Sequence, residues 1–428
     1  MMRQSIKVAG LVLLVASASP QAQSAGVLAA TRAKVETVTN EIFPQLVATR
    51  RDLHQHPELG FKETRTAGIV ADRLRALKFD EVRTGIGGTG VVGILKGGKP
   101  GKVVALRADM DALPIQEAIT PAYKSLVPNV NHSCGHDGHM SILLGVADIM
   151  SRMRADLQGT LMFVFQPAEE GDPDGGETGA LRMIKAGAFA NPKPDAIFGL
   201  HLDPQMPVGQ VGAHSGPSMA SASRFTLKII GKKTHGAMPH TGIDPIPIAA
   251  EVVNAFQTVP SRQVDAQTPM VLTVGSINGG NRYNVVADSV EMQGTVRTFT
   301  ADGPAVVKTK MEAILKGVTS AYGATYELNY FTNAPVTFNE PKLAAASISA
   351  LADALGSAKV LKPALQMVSE DFSYYQQQMP GFYFFVGIKN EAKGITAMWH
   401  TEFYDMDEDA LKVGVRSMSA VVLDFLMR

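Results

Sequence analysis

At 428 residues the chain exceeds what one ordinary hydrophobic core can cover, so two domains are expected. Lysine plus arginine number 40, as do aspartate plus glutamate, and this zero net charge excludes a polyanion-binding surface; small molecules, not nucleic acid, are the expected partners. The single cysteine excludes an internal disulfide.

The chain begins with two basic residues ahead of the apolar run Val8 to Ala18, followed by small residues from Ser17 to Gly26. This is the layout of a cleavable export signal, residues 1–25, and the run is short for a bilayer anchor. It predicts a secreted or periplasmic protein with no membrane attachment once the signal is removed; an uncleaved anchor is the alternative. Ala33 to Arg51 has helical spacing and runs into His54, His56 and a Pro-Glu-Leu-Gly stop, which favours a structural role, or one supporting a ligand, for both histidines over ligation itself. A second helix is expected over Thr64 to Leu77. Gly85-Ile-Gly-Gly-Thr-Gly90 leads into the strand-like Val91 to Leu95 and not into a helix, so it reads as a hairpin turn and not a dinucleotide loop.

Lys102 to Arg107 is a buried-strand run that delivers Asp109 and Asp111 at its carboxyl end. The segment Asn131-His-Ser-Cys-Gly-His-Asp-Gly-His139 follows, then a helix from Asp137 to about Met153. Cys134 and His136, at i and i+2, project to one side of an extended segment and suit a borderline-soft divalent cation; a free thiol beside solvated histidines is the other reading. The next strand, Leu161 to Gln166, ends in Pro-Ala-Glu169-Glu170-Gly, and Ala196 to Leu200 ends in His201. Short apolar strands separated by helices, each with ionisable residues past its end, describe a largely parallel α/β sheet whose carboxyl edge binds ligands.

From about Ser218 the pattern becomes strand (Arg224 to Ile230), helix (Pro245 to Val259), strands (Val271 to Ile277 and Val285 to Phe299), helix (Ala305 to Ala321) and strand (Tyr326 to Phe331), a ferredoxin-like order. The larger domain then resumes with a helix at Lys342 to Leu355, a strand at Phe382 to Val386 with Trp399-His400 just beyond it, and a closing helix from Asp407. The expected fold class is α/β: a catalytic domain with a mixed, largely parallel sheet flanked by helices (26–217 and 334–428), interrupted by a ferredoxin-like domain (218–333).

Cys134, His136, one of Glu169 and Glu170, His201 and His400 make more ligands than one tetrahedral ion uses, which implies two adjacent divalent ions. One of the paired glutamates is left free beside them, where a general base is useful; two solvated loop glutamates would be the plain alternative.

These motifs resemble the metal-dependent aminoacylase and carboxypeptidase family, in the branch holding hippurate hydrolases, N-acetyl-amino-acid deacetylases and auxin-conjugate hydrolases. The resemblance runs from about Arg51 to the C-terminus, through Arg107-Ala-Asp-Met-Asp, Ser-Cys-Gly-His-Asp-Gly-His, Gln-Pro-Ala-Glu-Glu-Gly, Gly-Leu-His201, His235-Gly-Ala-Met-Pro-His and Ser369-Glu-Asp-Phe-Ser. It implies Cys134, His136, Glu170, His201 and His400 as ligands of two divalent ions (zinc, manganese, cobalt or nickel), with Cys134 bridging. It further implies Glu169 as general acid/base and His235, often supplied by a partner subunit, as oxyanion stabiliser. Asn284 and Arg297 fall at the substrate's carboxylate end, and Asp109 and Asp111 support the ligands. The inserted domain matches a lid and dimerisation domain; composition, independently of the resemblance, places hinges near Ser215 to Ser218 and Asn333 to Pro341. The family's usual Asn-Val-Ile-Pro stands here as Asn284-Val-Val-Ala, without the proline. The function implied is hydrolysis of N-acyl amino acids in a homodimer or larger homo-oligomer. A metallo-exopeptidase acting on short peptides is the alternative, and an inactive binding protein of the same fold a third.

Overall fold

The computed structural model describes residues 20–428, with side chains from Ala30 onward; the charged start and apolar run of the expected signal lie outside the described residues. Helix α1 (Pro20–Gln55) buries Val35, Val38, Ile42, Leu46 and Leu53, a 3–4 spacing that lays one stripe against the core. α2 (Thr64–Ala76) does the same with Ala67, Val70, Ala71 and Leu74. The glycine-rich turn joins β1 (Glu81–Ile86) to β2 (Gly90–Lys96) as an antiparallel hairpin, as expected.

β3 (Lys99–Asp109), α3 (His136–Arg152) and β4 (Gln158–Gln166) form a βαβ unit, with β3 and β4 parallel. α3 is buried from His136 to Met150 because α1 and the C-terminal helix (Asp409–Met427) cover the side turned away from the sheet. α4 (Gly179–Lys185) leads to β5 (Ala196–Pro207), and β6 (Val211–Ala213) and β7 (Gly216–Met219) follow.

The inserted stretch holds β8 (Ser221–Ile230), β9 (Thr234–His235), α5 (Pro245–Phe256), β10 (Met270–Gly279), β11 (Val285–Val286), β12 (Ser289–Thr298), α6 (Gly303–Tyr322) and β13 (Thr325–Ala334). Its sheet runs β10-β12-β8-β13, all antiparallel, which is the ferredoxin-like strand order. One expected element divides. Val285 to Phe299 is not a single strand, because Val285 and Val286 leave the sheet to pair with His235 and Thr234. The insert has its own core, in which Phe225, Leu227, Ile229, Phe256, Met292 and Met311 take part.

The chain returns through β14 (Thr337–Asn339), which pairs with β7, and continues into α7 (Pro341–Leu355), β15 (Val360–Leu361), α8 (Ser373–Gln376), β16 (Gly381–Lys389) and α9 (Asp409–Met427). The large sheet runs β1-β2-β4-β3-β5-β16-β6-β15, and its centre, β4-β3-β5-β16, is parallel. The carboxyl ends of these central strands therefore share one edge, the place where a parallel sheet binds its ligands. No helix among the described residues is long and apolar enough to cross a membrane.

Two placements differ from expectation. His201 lies inside β5 and not past its end, because the pairing with β16 continues through His201↔Phe385 to Pro207. His400 is not just beyond β16; it follows a loop that contains a short 3-10 turn at Glu391–Lys393.

Candidate active site

Gly135 sets the geometry between the first two candidate ligands. It sits at φ 93°, and a Cβ there would lie 2.4 Å from the Tyr404 hydroxyl, so only glycine lets Cys134 turn directly into His136 at the start of α3. The Nδ1 of His136 donates to the Asp111 carbonyl at 2.8 Å, and the Nδ1 of His201 donates to the Leu202 carbonyl at 2.8 Å. A carbonyl can only accept, so both rings carry their proton on Nδ1 and turn Nε2 outward. The His136 Nε2 is buried and has no hydrogen-bond partner. Two donor clusters result, Cys134–His136–His201 and Cys134–Glu170–His400, each with its donor atoms within 4.8 Å of one another. They share Cys134, whose sulfur is 3.4 Å from the His201 Nε2.

His400 arrives from its loop at φ 59°, left-handed for a residue with a Cβ, and its amide is held by the Ser133 carbonyl at 2.9 Å. This bond ties the loop to the Cys134 segment and leaves the His400 Nε2 2.9 Å from Glu170 Oε1. Trp399 braces the same loop by donating to the Leu202 carbonyl at 2.8 Å, with its ring edge-on to His201.

His139 is close by but differently employed. Its Nδ1 meets Asp109 at 2.6 Å and its Nε2 accepts the Leu202 amide at 3.0 Å, so neither nitrogen is free to bind a cation. Asp109 orients His139 and also lies 3.7 Å from His136. Asp111 accepts the amides of Glu169 and Glu170, both at 3.0 Å, and so fixes the loop that carries them. Both aspartates thus contact the segments that carry the candidate ligands.

The electrostatics favour a cation. Burial, then Glu170, Glu169 and Asp109, push the Cys134 thiol well above its ordinary pKa. Burial alone would lower the pKa of His136, yet Asp109, Asp111 and Glu170 raise it to about 10. Carboxylates that attract an extra proton there would equally stabilise a divalent ion in its place. Glu169 is raised well above the carboxylate range by burial and by Glu370, Glu170 and Asp371.

A group to which the sequence assigned no role holds Glu169. Arg107, fully buried, donates to Asp109 at 2.6 Å, Gln166 at 2.9 Å, Glu370 at 2.9 Å and Asp371 at 3.1 Å. The Asp371 amide in turn faces Glu169 Oε1 at 3.4 Å. One guanidinium therefore links Asp109, behind the candidate ligands, to the Asp371 loop behind Glu169. The visible signal was an arginine inside an otherwise apolar strand, and its most remote partner, Asp371, lies 264 residues away in sequence.

These side chains open onto a cavity of about 1220 Å³ between the carboxyl edge of the large sheet and the insert. Arg297 and Arg224 reach its wall from the insert, and neither has an ion-pair partner among the described residues. His235 and Asn284 do not line it. They sit side by side, joined by the β9–β11 pair and by the Gly236 amide on the Asn284 carbonyl at 2.9 Å, with His235 exposed. Within one chain the fold thus brings together the five candidate ligands, Glu169, Asp109, Asp111 and Arg297, but not His235 or Asn284.

Residues 105–424 match the sequence profile of peptidase family M20/M25/M40. The chain is 38% identical over 394 residues to thermostable carboxypeptidase 2 of Saccharolobus solfataricus, covering 92% of this chain and 98% of that protein. It is 44% identical over 300 residues to the N-acyl-L-amino acid amidohydrolase of Geobacillus stearothermophilus, covering 70% of this chain and 79% of that one. Among solved structures, the Bacillus subtilis YxeP protein, described as a dinuclear metal binding peptidase from the M20 family, superposes with a TM-score of 0.79 at 34% identity, over 90% of this chain and 99% of that one. The sequence match and the shared architecture agree: the chain belongs to peptidase family M20/M25/M40, a family of metal-dependent hydrolases.

Proposed function

We propose that this chain hydrolyses N-acyl amino acids to a carboxylic acid and a free amino acid, using two divalent cations bound by Cys134, His136, Glu170, His201 and His400. The observation that carries the reading is the pair of donor clusters sharing Cys134, with Glu169 beside them and held by a separate set of contacts. Bound there, the cations would supply Lewis acidity toward the amide carbonyl and an acidified water at neutral pH. Glu169 removes the proton from the attacking water and returns it to the departing amine nitrogen, so the base is regenerated in each turnover. Asp111 fixes the loop that carries Glu169 and Glu170 by accepting both backbone amides. Arg297 receives the substrate carboxylate; it is half-buried and burial without an acidic neighbour lowers its pKa, so an incoming anion is its natural complement.

His235 enters in this reading from a second copy of the chain, with Asn284 beside it, and donates to the carbonyl oxygen as charge develops there. Its exposure, and its absence from its own chain's cavity, support that assignment. The inserted unit then serves as both lid and dimer contact, with boundaries near 218 and 333, and the protein works outside the cytoplasm after loss of residues 1–25. Exopeptidase action on short peptides is the second reading, favoured by the carboxypeptidase relatives.

The test is turnover of N-acetyl- and N-benzoyl-amino acids against a dipeptide panel, with and without chelator. Glu169→Gln is expected to lower kcat by about 10²- to 10⁴-fold with metal content retained. Cys134→Ala and His400→Ala are expected to lose metal as well. Equal metal loss in all three would refute the division of roles.

A further inference from the structure

The amidase reading accounts for the base of the cavity and its cationic side, but one wall is left over. Leu361, Leu365, Met367, Val368 and Met398 all line the cavity, and each is more than a third exposed. Isolated exposed apolar residues are ordinary on a protein surface; this many on one cavity are not.

The wall is held in place by the fold. Val360 and Leu361 pair with Val211 and Gly212 of β6, which anchors one end of the segment. At the other end the Gln366 amide donates to the Ser218 carbonyl at 3.2 Å, and the Ala220 amide reaches the Gln366 carbonyl at 3.0 Å. The Gln366 side chain donates to Asp203 of β5 at 3.2 Å, a further tie between this segment and the large sheet. Met398 comes from the His400 loop, two residues before a candidate ligand.

An N-acyl amino acid has four parts to place. Its amide belongs at Glu169 and the donor clusters and its carboxylate at Arg297; the amino-acid side chain branches from the carbon that bears the carboxylate and stays on the Arg297 side of the amide, so the acyl group is the part that remains for this wall. We propose that this wall binds the acyl group, and that the substrates carry an aromatic or medium-chain aliphatic acyl group and not acetyl. This inference rests on the amidase reading. Unbranched methionines repack around differently shaped apolar groups, which suits tolerance among bulky acyl chains.

The experiment measures kcat/KM of the metal-loaded enzyme on the N-acetyl, N-hexanoyl, N-octanoyl and N-benzoyl derivatives of one amino acid. The expected result is a rise on the order of 10- to 100-fold from acetyl to octanoyl or benzoyl. Leu365→Asn and Met367→Gln are each expected to cut that ratio roughly fivefold or more. Acetyl substrates cleaved as well as octanoyl and benzoyl ones would overturn the proposal. So would variants that lose activity on all acyl lengths in equal proportion. If dipeptides are cleaved and no N-acyl amino acid is, the amidase reading falls and the acyl site with it.

Discussion

Three imidazoles near Cys134, those of His136, His139 and His201, are separated by what their two nitrogens do. His136 and His201 each give one nitrogen to a backbone carbonyl and keep the other, whereas both nitrogens of His139 are used within the protein. His136→Asn is therefore expected to lower bound metal by about one ion per chain, and His139→Asn to keep the stoichiometry while weakening affinity by about 10- to 100-fold. Elemental analysis after dialysis reads both. A second prediction concerns Glu63, which is buried beneath the Glu169 loop, where it accepts the Ala168 amide at 2.9 Å and the Thr89 hydroxyl. Burial, partly countered by the Thr89 bond, raises its pKa from 4.5 to about 7, so the folded chain holds a proton that the unfolded chain releases. Its stabilising contribution is full below about 4.5 and drains away as pH rises through 7. Glu63→Gln is thus expected to raise Tm by roughly 3–6 °C at pH 8 and to change it little at pH 5, as read by thermal melts at both values.

Helix packing behind the site depends on the absence of side chains. A Cβ at Gly414 of α9 would lie 2.4 Å from the Ile142 Cδ1 and 2.8 Å from its Cγ1, and one at Gly145 of α3 would meet Val415 at 2.8 Å and Leu46 at 3.0 Å. Helices α1, α3 and α9 approach closely at these two glycines, and α3 begins at His136. Gly414→Ala is expected to cost about 1–3 kcal/mol in urea unfolding, against a helix-propensity gain of up to about 1 kcal/mol had the site been exposed. A neutral or stabilising effect would show that the crossing tolerates a methyl group. Most elements were legible as periodicity: a 3–4 spacing for α1 and α2, continuous apolar runs for the central strands, and the strand and helix order of the insert. The end of β5 was not, because its continuation through His201 comes from pairing with β16, far away in sequence.

The molecule joins its two sheets through a single ribbon, in which Gly216 to Met219 runs antiparallel to Thr337 to Asn339. Both chain crossings thus lie in one narrow element, at the positions where hinges were expected from composition. A cavity of about 1220 Å³ exceeds the 300–1,000 Å³ of a typical small-molecule site, so the cleft is open relative to its substrate. Closure about the ribbon would bring Arg297 and Arg224 toward Glu169. Small-angle scattering of the Glu169→Gln variant is expected to show a smaller radius of gyration with an N-acyl amino acid bound than without. An unchanged radius would mean that the enzyme works open.

The sequence by itself made most elements, the two-sheet plan and a pool of candidate ligand residues legible, since helix and strand periods are local and metal chemistry restricts ligands to a few residue types; the division of roles between Glu169 and Glu170 came from the family resemblance. Tertiary structure alone decided which nitrogens are free, that Arg107 ties Asp109 to the Asp371 loop, and that His235 stays out of its own chain's cavity. Those facts depend on hydrogen bonds between residues remote in sequence, and a side chain's type does not reveal whether its lone pair is already taken.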